Sequence, residues 1–507
     1  MGNHDLTWLD RAIGWISPTR GAQRAQARAL MGTLLSYEGA RSGRRKDGWV
    51  TASTSADAEI TQFLGQMRDN ARDLVRNNPH AARALSVIVK NKIGTGIMCQ
   101  PADARIGSRR TNRRKNQRLH DRWKRWVDHC DIDGKHDFYG LQALAERTRS
   151  EAGESLLRFI PSKMEHPLDV PLRLQLLEPD HIDSTKHVRR SEESVIRHGV
   201  EFDRRGRPAA FWLYPKHPGD DAPIPYRAGG LQSERIPAAD VIHYYKVQRP
   251  GQTRGMTDFA PVMTRLRALD DYDDAEVMRK KIAACLAAFV YTPGNLPAAS
   301  LAPTTVDAAG RRIESFSPGM IAYPEQGSQV EIADPKPSGD YEPFTKVQLR
   351  AIASGLDLPY ELLTGDLAEV SYISGRLGLV QFKMGNEADQ WLVVIPQVCD
   401  RVCRRFTAEA AGVDPMIDPD TLWTFTPPRF ALLDPAKEVK AKVDAIKGGV
   451  ASFQETVRQD GYEPSDLLQE IKEFQDWARE NGVALDSIPN GAAAQQPAPG
   501  EGEEEAA

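Results

Sequence analysis

The sequence predicts an α+β chain in which long helices frame one β-rich portion. Three observations carry this. Apolar residues recur at helical spacing from 64 to 93 and again from 259 onward. Alternating segments collect between 154 and 247, one group rather than strands interleaved with helices. A stretch from Leu349 to Ala411 joins a short helix, a polar loop with Gly375 and Gly378, and a long helix. In that last helix Trp391, Ile395, Val398, Val402 and Phe406 are expected on one face, with Pro396 bending it.

Composition limits the class. The chain has 507 residues, 27% charged residues and a formal net charge of −4, so it is not a uniformly basic nucleic-acid binder. Its five cysteines are scattered, which fits reduced thiols. Cys399 and Cys403 lie one helical turn apart without an accompanying His, and a buried small-hydrophobe role is preferred to metal binding. No apolar run reaches the length of a membrane span. The N-terminal MGNHDLTWLDRAIGWISP has no apolar core of a signal peptide, and Leu6 stands where myristoylation requires Ser or Thr.

Taken in order, residues 1–54 read as an arm without sustained pattern, expected to order on a partner. Two packed helices follow, one carrying Leu64, Met67, Ala71, Leu74 and Val75, the other running from His80 to Ile93 and stopped by GTG. Ten Lys or Arg fall in the 21 positions from Arg105 to Arg125. They could grip phosphate, but Leu119, Trp123, Trp126 and Val127 give that helix an apolar stripe, so a solvated face is preferred. A helix ending near Gly153 leads into SLLRFIP and LRLQLLEPDHID, then alternating segments with turns at Arg205-Gly206 and Ala228-Gly229-Gly230.

From Phe259 a helical pattern runs through Val262, Leu266, Leu269, Tyr272, Val277, Ile282 and Leu286. It carries acidic Asp270 to Glu276 and basic Arg279 to Lys281, which could pair with copies of the same helix or be solvated. Residues 291–340, rich in Pro, Gly and Ser, read as a small insertion with strand-like pieces at Gly319–Tyr323 and Gln329–Ile332, before a helix opening at Tyr341. DPDTLWTFTPP is expected to be a strand. Asp434, Pro435 and Gly448 then delimit a helix, Ser452 and Glu455 form a capping box for a second that stops at Gly461, and Leu467 to Ala478 mark a third ending at Asn481-Gly482. The acidic tail from 483 to 507 cannot pack.

No phosphate-loop, HExxH, GxSxG or paired-cysteine zinc signature is present. Consecutive helical Asp residues at 270–274 diverge around the axis and do not converge on a metal. A structural role without cofactor is therefore expected rather than an enzyme.

Several segments in a fixed order resemble the lambda-type portal family of tailed bacteriophages: ARDLVRNNPHAARAL with GTGI, the Trp-rich block ending CDIDGKHDFYGLQ, GESLLR, LQLLEPDHID, RPGQTRGMTDFAPV, SGLDLPYELLTGDL and SYISGRLGLVQF. The resemblance implies a portal fold assembling as a homo-dodecameric ring at one capsid vertex of the virion, built in the host cytoplasm. It implies a wing at 55–256 with a return strand at 412–433, stem helices at 257–290 and 341–364, and a clip at 291–340. It further implies a tunnel loop at 365–376, a long kinked helix at 377–411 and crown helices at 434–482. The implied partners are the terminase large subunit, head-completion and connector proteins, major capsid and scaffold proteins, and double-stranded DNA moving through the channel, with no membrane. Carried onto this chain, Glu369, Ser371, Tyr372, Ser374 and Arg376 face the channel. The family often has Asn-Tyr-Ser-Ser at the loop, where this chain has Ser371-Tyr372-Ile373-Ser374. Arg265, Asp270, Asp271, Arg279, Lys280 and Lys281 are expected to line the stem channel or pair between subunits. A tight grip would stall moving DNA, since each phosphate contact adds affinity. The competing classes are a DNA-processing enzyme and a capsid adaptor without a channel.

Overall fold

The computed structural model describes residues 15, 53–101, 109–189, 194–220, 232–285, 304–306, 312–314, 341–368, 370–428, 435–459 and 464–480. The chain divides into Met1–Ser55 and Ala56–Ala507. Of the first only residues 15 and 53–55 are described, so the expected arm lies outside the described residues.

A short helix α1 (Ala56–Ile60) precedes two packed helices, α2 (Leu64–Asn77) and α3 (Pro79–Lys92). Asn78 separates them by capping α3, its side chain accepting the Ala81 N–H at 2.9 Å, with Pro79 at the first helical position. Strand β1 (Met98–Pro101) leads to the basic helix α4 (Arg109–Val127). Its Leu119, Trp123, Trp126 and Val127 are buried, and two of its cations pair within the chain, Arg118 with Asp414 and Arg125 with Asp169. The apolar stripe is as expected, and the side chains of residues 109–115 lie outside the described residues.

Helix α5 (Phe138–Ala152) ends at Gly153, whose φ of +92° closes it in the left-handed region. Strands β2 (Glu154–Pro161) and β3 (Leu172–Leu177) pair antiparallel. Four strands then form a meander, β4 (Val188–Arg189), β5 (Val195–Arg197), β6 (Val200–Phe202) and β7 (Pro208–Leu213). The segment RIPAADVIHYY is cut by a 3₁₀ turn at Ala238–Asp240. Its first half, β8 (Glu234–Pro237), completes the five-stranded sheet, while β9 (Val241–Tyr245) crosses to lie beside β2. The turn at Gly206 (φ +73°) is as expected, and that at 228–230 lies outside the described residues.

Helix α6 (Met263–Cys285) and α7 (Tyr341–Gly355) run antiparallel, since Arg265 meets Gln348 and Tyr272 meets Phe344 and Tyr341. Val262, Leu266 and Leu269 are buried, but Val277 is exposed, contrary to the expected continuous face: beyond Leu269 the helix leaves the core formed with α2, α3 and α7. Between α6 and α7 an antiparallel hairpin, β10 (Thr304–Val306) and β11 (Arg312–Glu314), is described, and the strand-like pieces at 319–323 and 329–332 lie outside. Helix α7 does not continue to 364. It stops at Gly355, and a turn with Asp357 at φ +56° leads to α8 (Tyr360–Thr364).

The long helix begins earlier than expected, at Tyr372, inside the stretch read as loop. It comprises α9 (Tyr372–Asp389), a π-helical segment (Gln390–Cys399) and α10 (Asp400–Val413). Pro396 lies inside the π segment; having no N–H, it cannot continue the ordinary ladder, and the Asp400 N–H reaches back to the Ile395 carbonyl. The wider turn also explains Trp391, which is 51% exposed rather than on the buried face. Gln390 takes the inward position, its amide donating to the Lys92 carbonyl at 2.7 Å, with Val394, Ile395, Val398, Cys399, Val402, Cys403 and Phe406 following. Cys399 and Cys403 are buried free thiols, as preferred from sequence.

Strand β12 (Trp423–Thr426) pairs with β1, and helices α11 (Pro435–Lys447), α12 (Phe453–Gln459) and α13 (Pro464–Glu480) follow. Ser452 caps α12 through the Glu455 N–H at 3.0 Å. Asp434, Gly461 and the Asn481-Gly482 stop lie outside the described residues, as does the tail. The main core gathers Trp123, Trp126, Phe138, Phe406 and the β2–β3 leucines; a second gathers α2, α3 and the near ends of α6 and α7.

Candidate functional site

The expected stem residues are engaged largely within their own chain. Arg265 donates to Gln348 at 2.8 Å, and Asp270 accepts from the Asn78 amide at 2.8 Å, so one asparagine both caps α3 and holds α6. Asp271 pairs with Arg267 at 3.3 Å with both groups exposed, a contact of little energetic weight. Arg279 donates to Glu276 at 2.8 Å, and Lys280 lies 3.9 Å from the same carboxylate and 5.4 Å from the centre of the Tyr341 ring. Tyr341 donates to Asp273 at 3.0 Å. Lys281 is exposed. Around these charges Val277, Met278, Phe344 and Val347 are exposed, an apolar surface that the charge pattern alone did not indicate.

In the loop, Gly365 (φ +78°) ends α8, its N–H on the Glu361 carbonyl at 2.8 Å. Asp366 is held by the Tyr360 hydroxyl and the Ala368 N–H. Ser371 is exposed and its carbonyl accepts from Gly375, the first bond of α9. Arg376 is exposed on that first turn. Glu369 and the side chains of Tyr372 and Ser374 lie outside the described residues. Leu367 and Leu377 flank the loop at 68% and 70% exposure, and Arg376 adjoins them.

Where α6 departs from the β-rich portion, two buried ionic clusters tie the elements together. In one, Glu154 opens β2 and accepts from Arg254 (2.9 and 3.0 Å to Nε), from Arg68 at 3.2 Å and from the Gly255 N–H at 3.0 Å, with His243 Nε2 at 2.7 Å. Arg68 continues to Asp180 at 3.1 Å, and Arg72 reaches the same carboxylate. In the other, Glu146 of α5 binds Arg149 at 2.8 Å, Lys92 of α3 at 3.0 Å and the Tyr244 hydroxyl. Arg149 also holds Asp258 at 2.6 Å, and Lys92 holds Asp389, the last residue of α9, at 2.8 Å.

Burial by itself would raise the pKa of both glutamates. The charges of Arg149 and Lys92 on Glu146, and of Arg254 with the His243 hydrogen bond on Glu154, instead hold both well below the usual carboxylate range. Burial opposes the Asp180 charge too, but the Arg72 hydrogen bond and the Arg68 charge bring its pKa down to about 2. Ionised and fully paired carboxylates are suited to fixing geometry and not to exchanging protons. None of these residues carries a site signature in the sequence, although Glu154 lies in GESLLR and Arg254 and Asp258 lie in RPGQTRGMTDFAPV. The available signal was charge within otherwise apolar or Gly-punctuated stretches.

Glu178, Asp180 and His217 place one ligand atom each within 4.8 Å of one another, but Arg72 already occupies both carboxylates. Among the described residues no helix is long and apolar enough to cross a membrane.

A family model described as "Phage portal protein, lambda family" matches residues 42–390. A "Probable portal protein" of Halomonas phage phiHAP-1 is 25% identical over 460 residues, covering 86% of this chain and 85% of that one. "Portal protein B" of Escherichia phage lambda is 24% identical over 386 residues, covering 68% of this chain and 70% of its own. Among solved structures, a chain from the neck of an empty GTA particle aligns over 82% of this chain and 95% of its own, at 15% identity and a TM-score of 0.37.

Proposed function

The chain belongs to the lambda family of phage portal proteins, and on that footing we propose that it assembles as a homo-dodecameric ring at one capsid vertex, enclosing the channel for packaging and ejecting double-stranded DNA. The family match over residues 42–390 carries this reading. It is supported by the antiparallel pair α6 and α7, joined at one end by residues 286–340, which suits a projecting stem bearing a docking piece for the terminase large subunit and head-completion proteins. Major capsid and scaffold proteins are the partners proposed for the periphery, with assembly in the host cytoplasm. The map assigned on this reading is wing 55–256 and 412–433, stem 257–290 and 341–364, clip 291–340, tunnel loop 365–376, kinked helix 377–411 and crown 434–482.

In the ring, Glu369, Ser371, Tyr372, Ser374 and Arg376 approach the DNA. Of the stem cations, Arg279 is held by Glu276, while Lys281 is exposed and without an ion pair among the described residues, which suits it to the channel. The buried clusters join the start of the stem to the wing and the kinked helix. Negative-stain imaging of the purified chain tests the assembly: rings with an axial channel and twelve-fold averages are expected, and their absence across a range of concentrations contradicts it. Charge reversal at Lys280 and Lys281 tests the stem assignment, which fails if ring assembly and packaging both survive unchanged.

A further inference from the structure

We propose that the groove between the five-stranded sheet and β9 binds an extended acidic peptide segment, whose carboxylates meet Arg401 and Arg197. The groove has a volume of about 790 Å³. Arg401 lies on α10 and its Nη2 donates to main-chain carbonyls, Ala238 at 3.3 Å and Val241 at 3.1 Å. Among the described residues no carboxylate pairs with it, and burial lowers its pKa from the ordinary value with nothing opposing. That sets it apart from Arg68, Arg149 and Arg254, each of which is buried against a carboxylate. A partly buried charge without a counter-charge is costly, and a ligand that supplies one gains accordingly.

Two further observations point into the same groove. Arg197 of β5 lines it, is exposed and has no ion pair among the described residues. The Thr253 hydroxyl, also in the lining, is buried without a hydrogen-bond partner. The acid in the lining, Asp203, is spent on its own turn, accepting the Arg205 and Arg207 N–H groups at 2.8 Å each. Between the cations the lining mixes apolar Val200, Phe202 and Phe211 with the polar side chains of His243, Tyr245 and Gln252. This mixture fits a peptide that presents carboxylates to the two cations and small side chains between them.

The site does not depend on ring formation, so it is tested on the full chain in solution. Fluorescence anisotropy with a fluorescein-labelled peptide of alternating glutamate and alanine should give saturable binding that weakens with salt. Loss of one charge-assisted contact predicts a weakening of about tenfold or more for Arg401→Gln and for Arg197→Glu. Arg197 is exposed, so its variant reports on the site even if Arg401→Gln disturbs folding; Arg401→Lys, which keeps the charge, should bind more tightly than Arg401→Gln. Absence of saturable binding overturns the proposal, as does binding unaffected by both variants. Displacement of the peptide by duplex DNA whose own binding is lost in the same variants also overturns it, assigning the groove to nucleic acid.

Discussion

Gly153 and Gly255 lie backbone against backbone, and the residues beside them, Glu154 and Arg254, form a buried ion pair. A Cβ on Gly255 would run into the Gly153 carbonyl oxygen, and one on Gly153 would stand 2.7 Å from the Met256 carbonyl carbon and 2.8 Å from the Thr257 nitrogen. The absence of both side chains lets the segment before α6 lie close to the end of α5, where Arg254 and the Gly255 N–H reach Glu154.

Gly255→Ala should therefore destabilise the chain by about 1–3 kcal/mol, the range for overpacking a rigid site. Gly153→Ala adds strain at φ +92° and should cost at least as much. Urea unfolding of the two variants checks this; wild-type midpoints for both would show that the two backbones can part.

Arg254→Met leaves Glu154 buried with less than its full counter-charge and should cost about 3–5 kcal/mol. Adding Glu154→Gln in the same chain should recover part of the loss, because the uncompensated charge is then gone. A double-mutant cycle that is additive would contradict the coupling.

Stability should fall in acid. Glu146, Glu154, Asp180 and Asp389 all have folded-state pKa values below their unfolded ones, so the unfolded chain takes up protons first. Their contribution is complete above the ordinary carboxylate range and is lost as pH drops through it toward the folded values, about 2 for Asp180. The carboxylate part of the decline in melting temperature should set in below about pH 4.5. Asp180→Asn should show a shallower decline, and an equal slope would exclude Asp180 from the effect.

Asn78→Ala removes both the α3 cap and the amide on Asp270, with an expected cost of about 1–2 kcal/mol. Asn78→Asp keeps the cap but sets a carboxylate against Asp270, so it should be intermediate at neutral pH. Equal stability of the three proteins in thermal melts would rule out both roles.

How much was legible follows from the range of the interactions involved. Short-range signals sufficed for the helices at 64–92, the capped helix after Ser452, the Gly153 stop and the buried cysteines, because caps, periodicity and left-handed glycines act over a turn or two. Register within the long helix was less accessible. Trp391 satisfies the helical spacing, and only the π turn at Pro396 rotates Gln390 inward in its place. The break of α7 at Gly355 and the early start of α9 at Tyr372 likewise depend on what each segment packs against.

By itself, the sequence determined the α+β class, the order of elements and the family, since each rests on local pattern or on segments in a fixed order. Tertiary structure alone decided that Lys92, Glu146, Arg149, Asp258 and Asp389, far apart along the chain, become one buried cluster. The same holds for Arg401, left at a groove with its guanidinium on main-chain carbonyls. The physical reason is that the energy of a charge is set by burial and by the opposite charges brought near it, and both exist only once the chain has folded.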